Sequence, residues 1–111
     1  MDKDNTLKDH TFIDNNSDKS LICVSALFST HDGLKIFEGF KHRNVYITEV
    51  RNHFYDYKIG KTYDSMTYDE MAADVIAFAD RMGLQKFDLM GYCLGGRIAL
   101  HTAAKYPDRI N

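Results

Sequence analysis

The sequence predicts an α/β fold built on a parallel sheet. Two observations carry this expectation. Short apolar runs of strand type alternate with helix-type periodicity along the chain, in the order strand, helix, strand, helix, strand, helix. A glycine-flanked turn, Gly91-Tyr92-Cys93-Leu94-Gly95-Gly96, stands between the last strand and the last helix. The expected strands cover about 20–25, 44–50 and 86–90, and the expected helices about 33–41, 67–83 and 94–106.

The first 18 residues are polar, with Asp14-Asn15-Asn16-Ser17-Asp18 at their end. They read as a loose lead-in carrying a short edge strand around Thr11 to Ile13, ahead of a domain spanning 19–111. Leu21-Ile22-Cys23-Val24 is a continuous apolar run, which suits a strand buried on both faces of a parallel sheet. Leu34, Ile36, Phe37 and Phe40 suggest a short helix over 33–41. Asn44 to Val50 is the second strand, and Phe87 to Met90, ending at Gly91, the third.

The helix over 67–83 has the clearest signal. Tyr68, Met71, Ala72, Val75, Phe78, Ala79 and Met82 recur at three- and four-residue steps and share one face. Thr67-Tyr68-Asp69-Glu70 has the form of a capping box, and Gly83 supplies a stop. Leu94 to Tyr106 forms the final helix, closed by Pro107. Three parallel strands alone would leave both sheet edges open.

Composition narrows the class. Hydrophobic residues make up 44% and charged residues 27%, as in an ordinary globular domain. The net charge is −2 with scattered cations, so no basic stripe points to nucleic acid. The apolar run Leu21 to Val24 is far too short to span a bilayer. Met1-Asp2-Lys3-Asp4-Asn5 lacks the basic start and apolar stretch of a secretory signal and is too acidic for a typical transit peptide. Cys23 and Cys93 are too few for a disulfide framework, and a reducing, cytoplasmic setting is the default. Neither C-x-x-C nor H-x-x-H occurs, so no metal site is expected, and no cofactor either.

The chemistry concentrates at Cys93. A sharp strand-to-helix turn would push its side chain out over the sheet edge, and Gly91 and Gly95 would remove collisions at that strained corner. Gly96 would let the helix pack closely. The helix start favours thiolate, the reactive form of cysteine, and the Leu94 N–H would be one oxyanion donor. The pattern is the cysteine version of a nucleophile elbow.

From Leu21 onward the chain resembles the first half of an α/β-hydrolase domain. Met90 to Leu100, followed by Tyr106-Pro107-Asp108-Arg109-Ile110, is similar to that family's elbow, helix and helix exit. Arg51-Asn52-His53 resembles the turn after the preceding strand in small esterase-like members, among them mitochondrial α/β-hydrolase-domain proteins. Gly-Tyr-Cys-Leu-Gly-Gly resembles the elbow of dienelactone hydrolases, and polyhydroxyalkanoate synthases also use a cysteine there. The resemblance implies hydrolysis of an ester, thioester or lactone through Cys93, a small-molecule acyl substrate, and the Leu27 N–H as second oxyanion donor. It would also allow a mitochondrial setting, although no clear transit peptide is present. Three departures are visible. Ser25-Ala26 stands where the family has His-Gly, Phe54 replaces a glycine, and the family's triad acid and histidine fall after the elbow, in a C-terminal half this sequence lacks.

Plainer readings stand beside these. Cys93 could be a structural thiol, and the chain a truncated or degenerate non-catalytic relative serving as a binding or structural module. Cys23, mid-strand, reads as core, as do Met66, Met71 and Met82. His101 lies on the helix that leads away from Cys93, and His53 belongs to the turn signature, so neither is assigned catalysis. His53-Phe54-Tyr55-Asp56-Tyr57 reads as a loop near the pocket mouth. Cys93 and Arg97 give C-x3-R where a tyrosine-phosphatase loop needs C-x5-R, and the glycines do not form a dinucleotide turn. Substrate identity and oligomeric state are not written in these residues.

Overall fold

The structure, a computed structural model, describes residues 10–25, 39–52, 56, 58–60 and 62–111. Its elements are β1 (His10–Ile13), β2 (Ser20–Val24), β3 (Asn44–Thr48), α1 (Tyr68–Arg81), β4 (Asp88–Gly91) and α2 (Leu94–Lys105), followed by a single 3-10 turn, Pro107–Arg109. The sheet has the order β1-β3-β2-β4. Strands β2, β3 and β4 are parallel, with Leu21 opposite Val45 and Val24 opposite Gly91. The short strand expected near Thr11 pairs antiparallel with β3 and covers that edge. At the far side Phe87 makes an isolated parallel bridge to Ile110.

The two faces of β2 serve two cores. Ile22 and Val24 join Val50, Met71, Val75, Phe78, Ala79, Phe87 and Ile98 beneath the helices. Leu21 and Cys23 turn the other way with Val45 and Ile47, against Ile13, Phe40 and Met90. This alternation is the period-two geometry of a strand covered on both sides. Burial pushes the Cys23 thiol up to about 12, which fixes it as a neutral apolar group.

Helix α1 begins where its capping box dictates. The Glu70 amide donates to Thr67 Oγ1 at 3.2 Å, and the Thr67 amide donates to the Glu70 carboxylate at 3.3 Å. It ends where Gly83 takes φ +74°. Met71, Ala72, Val75, Phe78 and Ala79 are buried as the periodicity requires, and Met82 packs at the margin.

Some boundaries differ from expectation. β3 stops at Thr48, because β2 ends at Val24 opposite it and offers no further partner to Glu49 and Val50. β4 is displaced toward Gly91, which pairs with Val24. Of the helix expected over 33–41, residues 33–38 lie outside the described residues, and 40–43 form a turn into β3. Met66 is 39% exposed, not core, since it precedes the helix and its apolar face. Residues 14–17 are not loose. The Asn15 side chain donates to the carbonyls of Phe40 and Arg43, each at 2.9 Å, and Asn44 donates to the Ser17 carbonyl at 2.9 Å. Among the described residues no helix is long and apolar enough to cross a membrane.

Candidate active site

The β4–α2 corner is a tight, positive-φ turn. Cys93 takes φ 57° and ψ −116°, a conformation side-chain-bearing residues rarely adopt, and it does so as the exposed N-cap of α2. Its sulfur makes no capping hydrogen bond and remains available.

Steric space explains the neighbours. A Cβ on Gly91 would lie 2.0 Å from the Gly95 carbonyl oxygen, and one on Gly95 would lie 2.0 Å from the carbonyl oxygen of Val24. The turn therefore closes on itself through Gly91 and docks on the central strand through Gly95. Gly96 differs, since its nearest such neighbour is 3.4 Å away, an ordinary contact.

The amides at the start of α2 are shared out unevenly. Gly95 N–H donates to the Tyr92 carbonyl at 3.0 Å, and the amides of Gly96 and Arg97 donate to the Cys93 carbonyl at 2.9 and 3.3 Å. Among the described residues nothing accepts from the Leu94 N–H. A donor with no acceptor among the described residues thus follows the thiol in sequence at the positive end of a helix. An open depression of about 510 Å3, lined by Tyr68, Cys93, Leu94 and Arg97, surrounds it.

Other residues singled out from sequence fall elsewhere. Leu27, with Ala26 and Phe28, lies outside the described residues, as do His31, His53 and Phe54. Ser25, immediately before them, is fully buried, its hydroxyl has no hydrogen-bond partner among the described residues, and its amide donates to the Thr48 carbonyl at 3.1 Å. His101 stacks on Tyr68 with ring centroids 4.6 Å apart, and His10 meets the edge of Phe78. No described histidine lines the depression.

Away from the depression, the loop after β3 is held to α1 by a pair that sequence inspection missed. Arg51 grips Asp74 of α1 through two bonds of 2.7 Å, donates to the Ser65 carbonyl at 3.1 Å, and lies over the Tyr63 ring at 4.3 Å. Both charged side chains are about nine-tenths buried. The hydrogen bonds to Asp74 hold the guanidinium pKa above its ordinary value, while burial pushes the Asp74 carboxyl upward against the pull of Arg51. Asn52, at φ 60°, pins the same loop by exchanging bonds with the Tyr63 backbone at 2.7 and 3.0 Å. The available signal was Asp74 itself, a carboxylate on the apolar face of a helix.

Comparison with known proteins places this geometry. The family described as alpha/beta hydrolase fold matches residues 19–111. The chain belongs to that family. It is 38% identical over 71 residues to ethanol acetyltransferase 1 of Cyberlindnera jadinii, which covers 62% of this chain and 19% of that protein. It is 32% identical over 92 residues to a Haemophilus influenzae protein bearing an esterase/lipase name, covering 81% of this chain and 31% of the other. Among solved structures, an esterase from a marine microorganism superposes with a TM-score of 0.77 at 27% identity, covering 92% of this chain and 39% of that one. The hydrolase-like chain thus spans less than half the length of these relatives.

Proposed function

We propose that Cys93 is the nucleophile of an acyl-transfer reaction on an ester, thioester or lactone. The thiolate attacks the substrate carbonyl, and the electron pair displaced onto oxygen is received by the Leu94 N–H and by the Leu27 N–H. Collapse of the tetrahedral adduct expels the alcohol or thiol, which takes up a proton, and leaves an acyl thioester on Cys93. Water or an alcohol then attacks that thioester and frees the thiol. The family's histidine would serve as base in both halves.

The observation that carries this reading is an exposed thiol at positive φ beside a helix-start amide with no acceptor among the described residues. Strain of this kind costs about 1–3 kcal/mol and persists where the surroundings impose it, often at functional positions. The names of the relatives, an acetyltransferase and an esterase/lipase, both describe acyl chemistry and differ in the acceptor. We read the acceptor here as open to water or alcohol, and the setting as reducing and cytoplasmic, consistent with two free cysteines.

The test is intact-mass detection of an acylated chain after exposure to p-nitrophenyl acetate, with the adduct mapped by peptide mass. Acetylation at Cys93, lost in Cys93→Ala, supports the reading. Unmodified Cys93 under conditions that acetylate a free small thiol would defeat it and favour a non-catalytic module.

A further inference from the structure

The depression around Cys93 carries a cation that no described residue engages. Arg43, Arg51 and Arg109 are engaged with Asp88, Asp74 and Asp80, and Arg81 lies over the Phe78 ring. Arg97 makes no hydrogen bond or ion pair through its side chain among the described residues. It is exposed, and it is the one charged side chain among the described residues lining the depression. Its backbone bond to the Cys93 carbonyl sets it one helical turn beyond the sulfur, about 6 Å along the axis.

We infer that Arg97 is a specificity residue that receives a carboxylate carried by the acyl substrate of the Cys93 site. This rests on the nucleophile reading above. A guanidinium presents a planar fork of donors matched to a carboxylate, which ammonium does not reproduce. A single cation, with no second one among the described residues of the lining, balances a singly charged carboxylate, whereas a phosphate dianion would be left half neutralised. The Tyr68 ring, held by its stack on His101, supplies an apolar wall for the chain between carbonyl and carboxylate.

The experiment uses the whole 111-residue chain and two maleimides that differ in charge, N-ethylmaleimide and 3-maleimidopropionate. Alkylation of Cys93 is followed by mass, and the rate ratio of the anionic to the neutral reagent is divided by the same ratio for 2-mercaptoethanol. We expect a normalised ratio of about three at low ionic strength, the yield of an exposed ion pair. Arg97→Gln should bring it to about one, and Arg97→Lys should fall between. Added salt should reduce the wild-type value. A ratio unchanged by Arg97→Gln, with Cys93 still alkylated, overturns the inference and leaves the nucleophile reading intact. A normalised ratio below one in the wild-type chain also overturns the inference, and failure of both reagents to reach Cys93 in the folded chain removes both readings.

Discussion

Substituting alanine at Gly95 and, separately, at Gly96 asks what fixes the elbow. The two residues are adjacent on α2, yet their surroundings are opposed. A methyl on Gly95 would fall 2.0 Å from the Val24 carbonyl oxygen and 2.7 Å from both the Ser25 oxygen and the Val24 carbonyl carbon. All three are backbone atoms at the end of the central strand and the residue after it, so relief requires α2 and β2 to part by about 1 Å or more. Overpacking of this kind costs about 3 kcal/mol, at the upper end of the usual range, because no side chain can yield. A methyl on Gly96 meets its nearest atom at 3.4 Å and gains the helix preference of alanine over glycine, about 0.5–1 kcal/mol. For a domain of this size each kcal/mol shifts the melting temperature by roughly 4–8 °C. Gly95→Ala should therefore melt about 12 °C or more below the parent chain, and Gly96→Ala a few degrees above it, in thermal scans followed by circular dichroism. Equal losses at the two positions, or a Gly95→Ala chain melting with the parent, would refute the claim that contact with β2 sets the turn.

Further expectations concern the strained corner and the buried polar groups. Cys93→Gly should be more stable than Cys93→Ala by about 1 kcal/mol in urea unfolding, since only glycine adopts φ 57° without strain. Asp74→Asn should cost about 3–5 kcal/mol by removing the buried carboxylate that Arg51 grips through two bonds, while a joint Arg51→Met and Asp74→Leu replacement should cost much less, as a double-mutant cycle would reveal. Cys23 ionises near 9.0 when unfolded but near 12 when folded, so the folded chain holds its proton more tightly and loses stability as pH climbs from about 9 toward 12. The loss reaches up to about 4 kcal/mol, and Cys23→Val should flatten that part of the stability profile relative to the parent. N-ethylmaleimide should label Cys93 in the folded chain and Cys23 only after denaturation, as peptide mapping would show.

What could be read from sequence was what is local. Thr67, Glu70 and Gly83 lie within the helix they delimit, and their hydrogen-bonding needs are met by near neighbours, so α1 was legible almost to the residue. The corner at Cys93 was legible for a related reason, since glycines at fixed offsets answer a purely local crowding. The partner that makes Gly95 indispensable was not, because Val24 sits some seventy residues earlier and reaches Gly95 only through sheet order. Arg51 and Asp74 are likewise 23 residues apart and meet across a loop and a helix. The anchoring of Asn15 onto 40–44 escaped notice because a polar run gives no periodic signal when its partners are backbone carbonyls.

The dock of Gly95 on the Val24 carbonyl has an implication for how this scaffold can vary. The thiol takes its bearing from the middle of the sheet and not from Tyr68 or Arg97, which line the depression. Exchange of those two side chains would reshape what enters the depression without re-aiming the sulfur, so selection of a substrate and alignment of the thiol can vary separately.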